Sequence, residues 1–214
     1  MRVELAKSAG FCYGVRRAVE LAAQAAESGE PCVMLGPVIH NDHVVSWLAK
    51  KGVSCVGSVD EVPEGSSVIL RSHGEPRRVH EALKAKGAKV IDAACPNVTK
   101  IHRLVDKAEQ EGRQPVIIGT PDHPEVVAIA GWCRRPVVLA GAEEWEIWLS
   151  EHPEYREKPL TLVSQTTSTR VIWESSIEKT KKLCTNAEIF DTICSATCTR
   201  QTEAQALAAR SDAM

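Results

Sequence analysis

The amino-acid sequence predicts an α/β fold built from similar parallel-sheet units, and three observations lead to this prediction. Short apolar runs alternate with amphipathic stretches, as strands and helices do in α/β proteins. The segments IDAAC, ending at Cys95, and FDTIC, ending at Cys194, repeat the order Asp-x-x-Cys after an apolar run. The separation from Cys12 to His40 equals that from Cys95 to His123, 28 residues in each case.

The apolar runs give the expected strands in chain order, and helices are expected between them. The predicted strands are 2–6, 32–36, 67–71, 88–92, 115–119, 136–139, 160–163 and 186–190. Apolar residues recur at helical spacing after Gly14 (Val15, Ala18, Val19 and Ala22) and after Asn97 (Val98, Ile101, Val105 and Ala108). A strand–helix–strand order favours parallel sheets with right-handed crossovers.

The internal repeat divides the chain into units. We expect a first α/β unit at 14–95, a second at 96–193 and the start of a third at 194–214. The 28-residue spacing counted from Cys194 leads past the last residue, Met214. The third unit is therefore expected to be incomplete in this chain.

Composition excludes several classes of function. The formal charge is −2 and the isoelectric point about 6.4, without a basic stripe that carries aromatic residues, so a nucleic-acid partner is not expected. No run reaches the roughly 18 apolar residues of a membrane span, and the N-terminus does not read as a secretory signal. We expect a soluble cytoplasmic protein with no membrane partner.

Seven of the eight cysteines divide into two groups. A disulfide framework is not expected in a reducing compartment. Cys32, Cys55, Cys133 and Cys184 are predicted to be small apolar residues in or beside the core. Cys12, Cys95 and Cys194 instead stand in repeated settings before helices.

The repeated positions suggest the chemistry of a site. Cys12, Cys95, Cys194, His40, His73 and His123 are all placed at the C-terminal ends of strands, where functional groups of parallel α/β units gather. Three converging thiolates suit an iron–sulfur cluster with one iron open to a ligand. The histidines, with helix N-termini, suit a phosphate-bearing ligand. Glu125 is a candidate proton relay, and the Thr166 hydroxyl is suited to orient a ligand.

Other residues of these types are interpreted as structural. His43, His80, His102 and His152 have no repeat partner, and surface or packing roles are expected for them. Cys198 lies four residues after Cys194, which leaves open a zinc site formed by the two cysteines with a histidine. The tryptophans of EEWEIW (143–148) are expected to anchor the core.

These segments carry a resemblance to a known family. GFCYGVRRA, GPVIHN, SHG, DAACPNVTK, DHPEV, SQTT and ICSATCTRQ occur in the order found in the LytB-type 4-hydroxy-3-methylbut-2-enyl diphosphate reductases. The resemblance covers essentially the whole chain. It implies a pseudo-threefold trefoil of small parallel-sheet α/β units around a [4Fe–4S] cluster, with 1–13 packed against 194–214.

The resemblance also implies roles for individual residues. Cys12, Cys95 and Cys194 are the implied cluster ligands. The implied substrate-binding residues are His40, His73 and His123, which line the diphosphate pocket, and Thr166, which supports the substrate hydroxyl. Glu125, His123 and Thr166 form the implied catalytic group. The implied reaction is a reductive dehydroxylation that yields isopentenyl and dimethylallyl diphosphate, with electrons from a ferredoxin- or flavodoxin-type donor. Members of the family carry a further Ser-Ser-Asn segment beyond the point that matches Met214, so we expect one wall of the pocket to be missing.

Two other hypotheses stay open. The chain is alternatively a non-catalytic remnant that binds a cluster or a metal. The zinc interpretation through Cys198 is the third, and the repeat offers no support for it. Glu125 and Thr166 favour the enzyme, because a metal-binding scaffold needs neither.

Overall fold

The computed structural model describes residues 3–213, which form two parallel sheets with helices on both faces. The strands of the first sheet are β1 (Cys32–Leu35), β2 (Ser54–Val56), β3 (Ser67–Leu70) and β4 (Lys89–Asp92). They lie in the order β2-β1-β3-β4, and every neighbouring pair is parallel. The register places Val33 beside Ser54 on one side and beside Val68 on the other.

The second sheet repeats the first. Its strands are β5 (Gln114–Ile118), β6 (Val137–Leu139), β7 (Leu160–Ser164) and β8 (Ala187–Ile189). They lie in the order β6-β5-β7-β8, again all parallel. The matching strand orders confirm the predicted α/β class with repeated parallel-sheet units.

Within residues 3–213, eight α-helices precede, connect or follow the strands. They are α1 (Tyr13–Glu27), α2 (Asp42–Lys50), α3 (Arg77–Ala85), α4 (Pro96–Gln110), α5 (Pro124–Ala130), α6 (Ala142–Glu151), α7 (Arg170–Leu183) and α8 (Ser195–Ala208). Local sequence explains several starts: the Asn41 side chain caps α2, the Thr169 hydroxyl caps α7, and proline opens α4 and α5.

Alternate residues of each central strand face opposite helix layers. In the first unit, Met34 packs towards α1 and α2, while Val33 packs with Leu83 of α3. In the second, the β5 and β7 residues on one face pack against Trp145 and Trp173, which are both fully buried. Both faces of each sheet are therefore covered, which explains why these strands are continuous apolar runs.

Two expectations about the elements are wrong, and one strand was not predicted. Residues 3–6 form no strand, and Val3 and Leu5 are each 80% exposed, because no strand of the described chain lies alongside them (residue 2 lies outside the described residues). The short edge strand β2 was not among the predicted strands. Cys55, expected near the core, is exposed on that edge.

The N-terminal segment lies against α8. The N–H groups of Lys7 and Ser8 donate to the Glu203 carboxylate, at 2.6 and 2.8 Å. Arg200 Nε donates to the Ser8 carbonyl oxygen at 3.3 Å. This segment leads directly into Cys12, so these bonds help to fix where that cysteine stands.

Among residues 3–213, every helix is too short or too polar to span a lipid bilayer.

Candidate functional site

Each of the three cysteines predicted as cluster ligands stands immediately before a helix. Cys12 precedes α1, Cys95 precedes α4 and Cys194 precedes α8, and all three have extended backbones. Within residues 3–213, none of their side chains makes a capping hydrogen bond to its own helix. Their thiols are half-buried and free of disulfides. Three thiols without disulfides thus stand at three helix N-termini.

Contacts join the three cysteines at one place. A Cβ on Gly14, the second residue of α1, would lie 2.5 Å from Cys95 Sγ, so α1 comes this close to Cys95 only because residue 14 is glycine. Asn97 Nδ2, in the first turn of α4, donates to Cys194 Sγ at 3.3 Å. Burial raises the pKa of the Cys95 thiol, the N–H groups of Asn97 and Val98 lower it, and the charges of Cys194 and Cys12 raise it further.

The donor set fits an iron–sulfur cluster better than a single ion. No three His, Cys, Asp or Glu side chains in the described part of the chain come together closely enough to hold one metal ion. The zinc interpretation through Cys198 therefore lacks a third ligand there, and Cys198 packs beside the core of the second unit. Cluster ligands bind different iron atoms and stand farther apart than the ligands of one ion, so three separate thiols suit a cluster.

The three predicted histidines form a row. The ring centroids of His40 and His73 are 4.5 Å apart, and those of His73 and His123 are 5.7 Å apart. Burial lowers the pKa of His73 to about 4, with further lowering by His40, His123 and Arg71. Burial also lowers the pKa of His123, and His40 lowers it further. At neutral pH His73 is therefore an uncharged hydrogen-bonding group in a basic surrounding.

Glu125 and Thr166 form a buried pair. The Thr166 N–H donates to Glu125 Oε1 at 2.6 Å, and the Thr166 hydroxyl donates to Oε2 at 2.7 Å. The two residues are only 2% and 6% exposed. Burial raises the pKa of Glu125, and the two bonds from Thr166 oppose that rise. The carboxyl group is thus held where it can keep a proton at a higher pH than an exposed glutamate.

Backbone bonds attach the cysteines to the turns that carry these side chains. The Cys95 N–H donates to the Ser72 carbonyl, next to His73, at 2.9 Å. The Cys194 N–H donates to the Thr166 carbonyl, also at 2.9 Å. The structure therefore brings the predicted cysteines close to the predicted polar residues. Sequence reasoning missed Asn97, although its place two residues after Cys95 offered a signal.

A cavity of about 790 Å³ lies elsewhere, between α3, α4 and the segment 131–135. None of the predicted site residues lines it. Its walls include three arginines and three acidic side chains, and Arg77 is paired there with Asp106. Its chemistry does not resemble that of the cysteine and histidine groups, so we do not assign it to the site.

Fold and site together define a class of protein: an α/β protein of duplicated parallel-sheet units in which three cysteines at helix N-termini lie near a histidine row and a buried carboxyl group. Comparison with known proteins narrows this class. The model of the LytB protein family matches residues 3–214. The chain belongs to the LytB family.

Individual relatives agree with this assignment. The chain is 37% identical to the 4-hydroxy-3-methylbut-2-enyl diphosphate reductase of Clostridioides difficile (strain 630), covering all of this chain and 76% of that protein. It is also 37% identical to the reductase of the same name from Clostridium tetani, of which it covers 33%. The chain therefore spans three-quarters of the first relative and one-third of the second.

Solved structures of the same enzyme share the fold. A structure of (E)-4-hydroxy-3-methyl-but-2-enyl diphosphate reductase, the terminal enzyme of the non-mevalonate pathway, superposes with a TM-score of 0.80 at 34% identity. The superposition covers 96% of this chain and 73% of the chain in the solved structure. The reductase from Plasmodium falciparum gives 0.81 at 29% identity, over 90% of this chain and 61% of that one.

Proposed function

We propose that this chain catalyses the reductive dehydroxylation of 4-hydroxy-3-methylbut-2-enyl diphosphate to isopentenyl and dimethylallyl diphosphate, the last step of the non-mevalonate isoprenoid pathway. Family membership and the names of its relatives support this reaction. The observation that carries the proposal is the hydrogen bond from the Cys194 N–H to the Thr166 carbonyl, because it joins one proposed cluster ligand to the Glu125–Thr166 pair. The reaction consumes two electrons and two protons and releases the substrate hydroxyl as water.

Cys12, Cys95 and Cys194 are proposed to hold a [4Fe–4S] cluster. When bound, the cluster would supply the electrons and an open iron for the leaving oxygen. Each cysteine has an extended backbone and stands immediately before the first turn of a helix. N–H groups at a helix N-terminus stabilise thiolates, as the N–H groups of Asn97 and Val98 do for Cys95.

His40, His73 and His123 are proposed to bind the diphosphate. The Glu125 N–H donates to His123 Nδ1 at 3.1 Å, so this nitrogen is an acceptor and the neutral ring carries its hydrogen on Nε2. A ring oriented in this way can donate to a phosphate oxygen. A bound anion would also favour protonation of His73, whose pKa is lowered in the free protein.

Glu125 is proposed to deliver a proton, and Thr166 to orient it. The carboxyl group is buried and its pKa is raised, which favours the protonated form that a proton donor needs. The Thr166 hydroxyl bonds to Oε2 and is the exchangeable group next in line. His123 lies two residues before Glu125, at the start of α5. The same helix end therefore positions both the proposed acid and one anion-binding group.

We further propose a ferredoxin- or flavodoxin-type electron donor and a cytoplasmic location. The free thiols of the cysteine group support the location, because thiols stay reduced in the cytosol. The proposed reaction supports the donor, because it consumes two electrons.

The deciding experiment is anaerobic reconstitution of the 214-residue chain with iron and sulfide, followed by an assay with reduced methyl viologen and the hydroxymethylbutenyl diphosphate. A brown protein that turns over supports the reductase. A brown protein that binds iron and sulfide but does not convert the substrate supports the alternative, a cluster-binding remnant. Cys12→Ser and Cys194→Ser should each lose the visible absorbance of the cluster, and retention of the full absorbance in both variants would refute the ligand assignment.

A further inference from the structure

His102, which takes no part in the proposed chemistry, lies directly behind the turn that carries His73. It is on α4, only 3% exposed, two turns along the same helix from Cys95. Its Nε2 is buried and has no hydrogen-bond partner among the described residues. A buried polar atom without a hydrogen-bond partner destabilises the fold, so a histidine ring at this position needs another explanation.

That ring fills the space beside Gly74, the residue after His73. Gly74 has φ +76°, and a Cβ there would lie 2.5 Å from His102 Cε1 and 3.1 Å from Nε2. The turn therefore needs glycine for two reasons, its left-handed backbone and the imidazole packed against it. The Gly74 N–H donates to the Arg71 carbonyl at 3.0 Å, which closes the turn over the ring.

Trp132 contacts both the His102 ring and the far end of the turn. The two rings are stacked, with centroids 5.1 Å apart and planes 17° apart. Trp132 Nε1 donates to the Glu75 carbonyl at 3.0 Å. The segment that carries Trp132 follows α5, which begins at the Glu125 end of the site. The stack thus connects α4, α5 and the turn 72–75.

We propose that His102 is a positioning residue: stacked on Trp132, it seats the turn 72–75 and so keeps the His73 imidazole in line with His40 and His123. The role rests on the shape of the ring. Burial, with a smaller contribution from His80, lowers the pKa of His102 to about 4, so the ring is uncharged at neutral pH and behaves as a flat packing group. The proposal rests on the proposed function only where it concerns diphosphate binding.

The test compares His102→Phe, which keeps a flat ring, with His102→Ala and His102→Leu, which do not. His80→Ala is the matched control, because His80 meets the same Trp132 edge-on at 5.6 Å and is not the residue packed on Gly74. The first readout is the pKa of His73, which is measured from the pH dependence of the NMR signals of its imidazole nitrogens. The second is binding of inorganic pyrophosphate to the reconstituted chain.

In His102→Ala and His102→Leu, the pKa of His73 should rise from about 4 towards 6.5, because the loosened turn exposes the ring. Pyrophosphate binding should weaken by about 2- to 30-fold, the range for residues that act through packing. His102→Phe and His80→Ala should match the parent chain. The seating role is wrong if the pKa of His73 is unchanged in His102→Leu. It is also wrong if that pKa shifts as far in His102→Phe as it does in His102→Leu. The Leu and Phe variants decide this even where His102→Ala does not fold.

A double-mutant cycle tests the contact itself. Gly74→Ala should also release His73, and adding His102→Ala to it should do less further harm than His102→Ala does alone, because the methyl group then has room. Strictly additive effects would show that the two residues are not in contact and would overturn the proposal. A parent chain that binds no pyrophosphate would refute the proposed diphosphate pocket, while the pKa of His73 would still decide the role of His102.

Discussion

Replacing His102 with phenylalanine should reduce the loss in free energy of unfolding that occurs as the pH falls from 7 to 4. A histidine whose pKa is lowered on folding binds a proton more readily in the unfolded chain. Its contribution to the free energy of unfolding is fully present above pH 6.5 and is lost as the pH falls to about 4. At ~1.4 kcal/mol for each unit of pKa, this loss amounts to about 3 kcal/mol. Phenylalanine cannot take up the proton, so the variant should not show this part of the loss.

The same variant should be no less stable than the parent at pH 7. The change removes a buried nitrogen that has no partner in the described chain, and phenylalanine fills a similar planar space against Trp132. Removing the unpaired nitrogen stabilises the folded chain by on the order of 1–3 kcal/mol, and this gain offsets any misfit of the larger ring. His102→Phe should therefore match or exceed the parent at pH 7 and exceed it by a further 3 kcal/mol or so at pH 4.

Urea unfolding followed by far-ultraviolet circular dichroism at several pH values between 4 and 7 measures this difference. His43→Phe is the composition control, since His43 is exposed on α2 in the first unit. Parallel pH profiles for the parent and His102→Phe would refute the reasoning, because they would mean that the buried ring is protonated as easily in the folded as in the unfolded chain. His73 is present in both proteins and cancels from the comparison.

Three further predictions concern the site and the core. Cys95→Ser should lose bound iron after reconstitution whereas Cys55→Ser, on an exposed edge, should keep it; iron and sulfide analysis checks both, and the reverse result would refute the ligand assignment. Glu125→Gln should lower turnover by about 10²- to 10⁴-fold, the usual contribution of a positioned acid. Because burial raises the pKa of Glu125, its ionisation lowers stability as the pH rises above the ordinary glutamate range, and the amide should lack that decline in melting temperature; an equal decline would contradict the assignment. Trp173→Ala should lower the free energy of unfolding by about 3–5 kcal/mol, while Val171→Ala, at a side chain 78% exposed, should change it by less than about 0.5 kcal/mol.

The sequence was most informative where the structure is most buried. β1, β3, β5 and β7 are continuous apolar runs because helices cover both faces of each sheet, and their predicted positions agree with the structure within a residue or two. The edge strand β2 is only three residues long and largely exposed, so it left no such signal. The unit boundaries at 95/96 and 193/194 stay predictions.

The site was predictable to the extent that it repeats. Equal spacings singled out Cys95 and His123, because a repeated scaffold returns equivalent residues to equivalent strand ends. Contacts between distant segments leave no comparable trace. The stack of His102 on Trp132 joins residues that neither periodicity nor spacing relates, and His102 was expected only to have a surface or packing role. Its packing role is correct, but its position behind His73 required coordinates.

The duplicated units share one backbone function and differ in their side-chain chemistry. In the first, the turn after β3 accepts the Cys95 N–H at the Ser72 carbonyl; in the second, the turn after β7 accepts the Cys194 N–H at the Thr166 carbonyl. Each unit thus supports a cysteine in the same way, through main-chain atoms that do not depend on the side chain. The side chains at these turns are then free to differ. Under the proposed function, the first unit uses that freedom for an anion-binding imidazole at His73, and the second for a hydroxyl that touches a buried acid. Under that proposal, a duplicated scaffold repeats the turn that supports a cysteine while dividing anion binding and proton delivery between its copies.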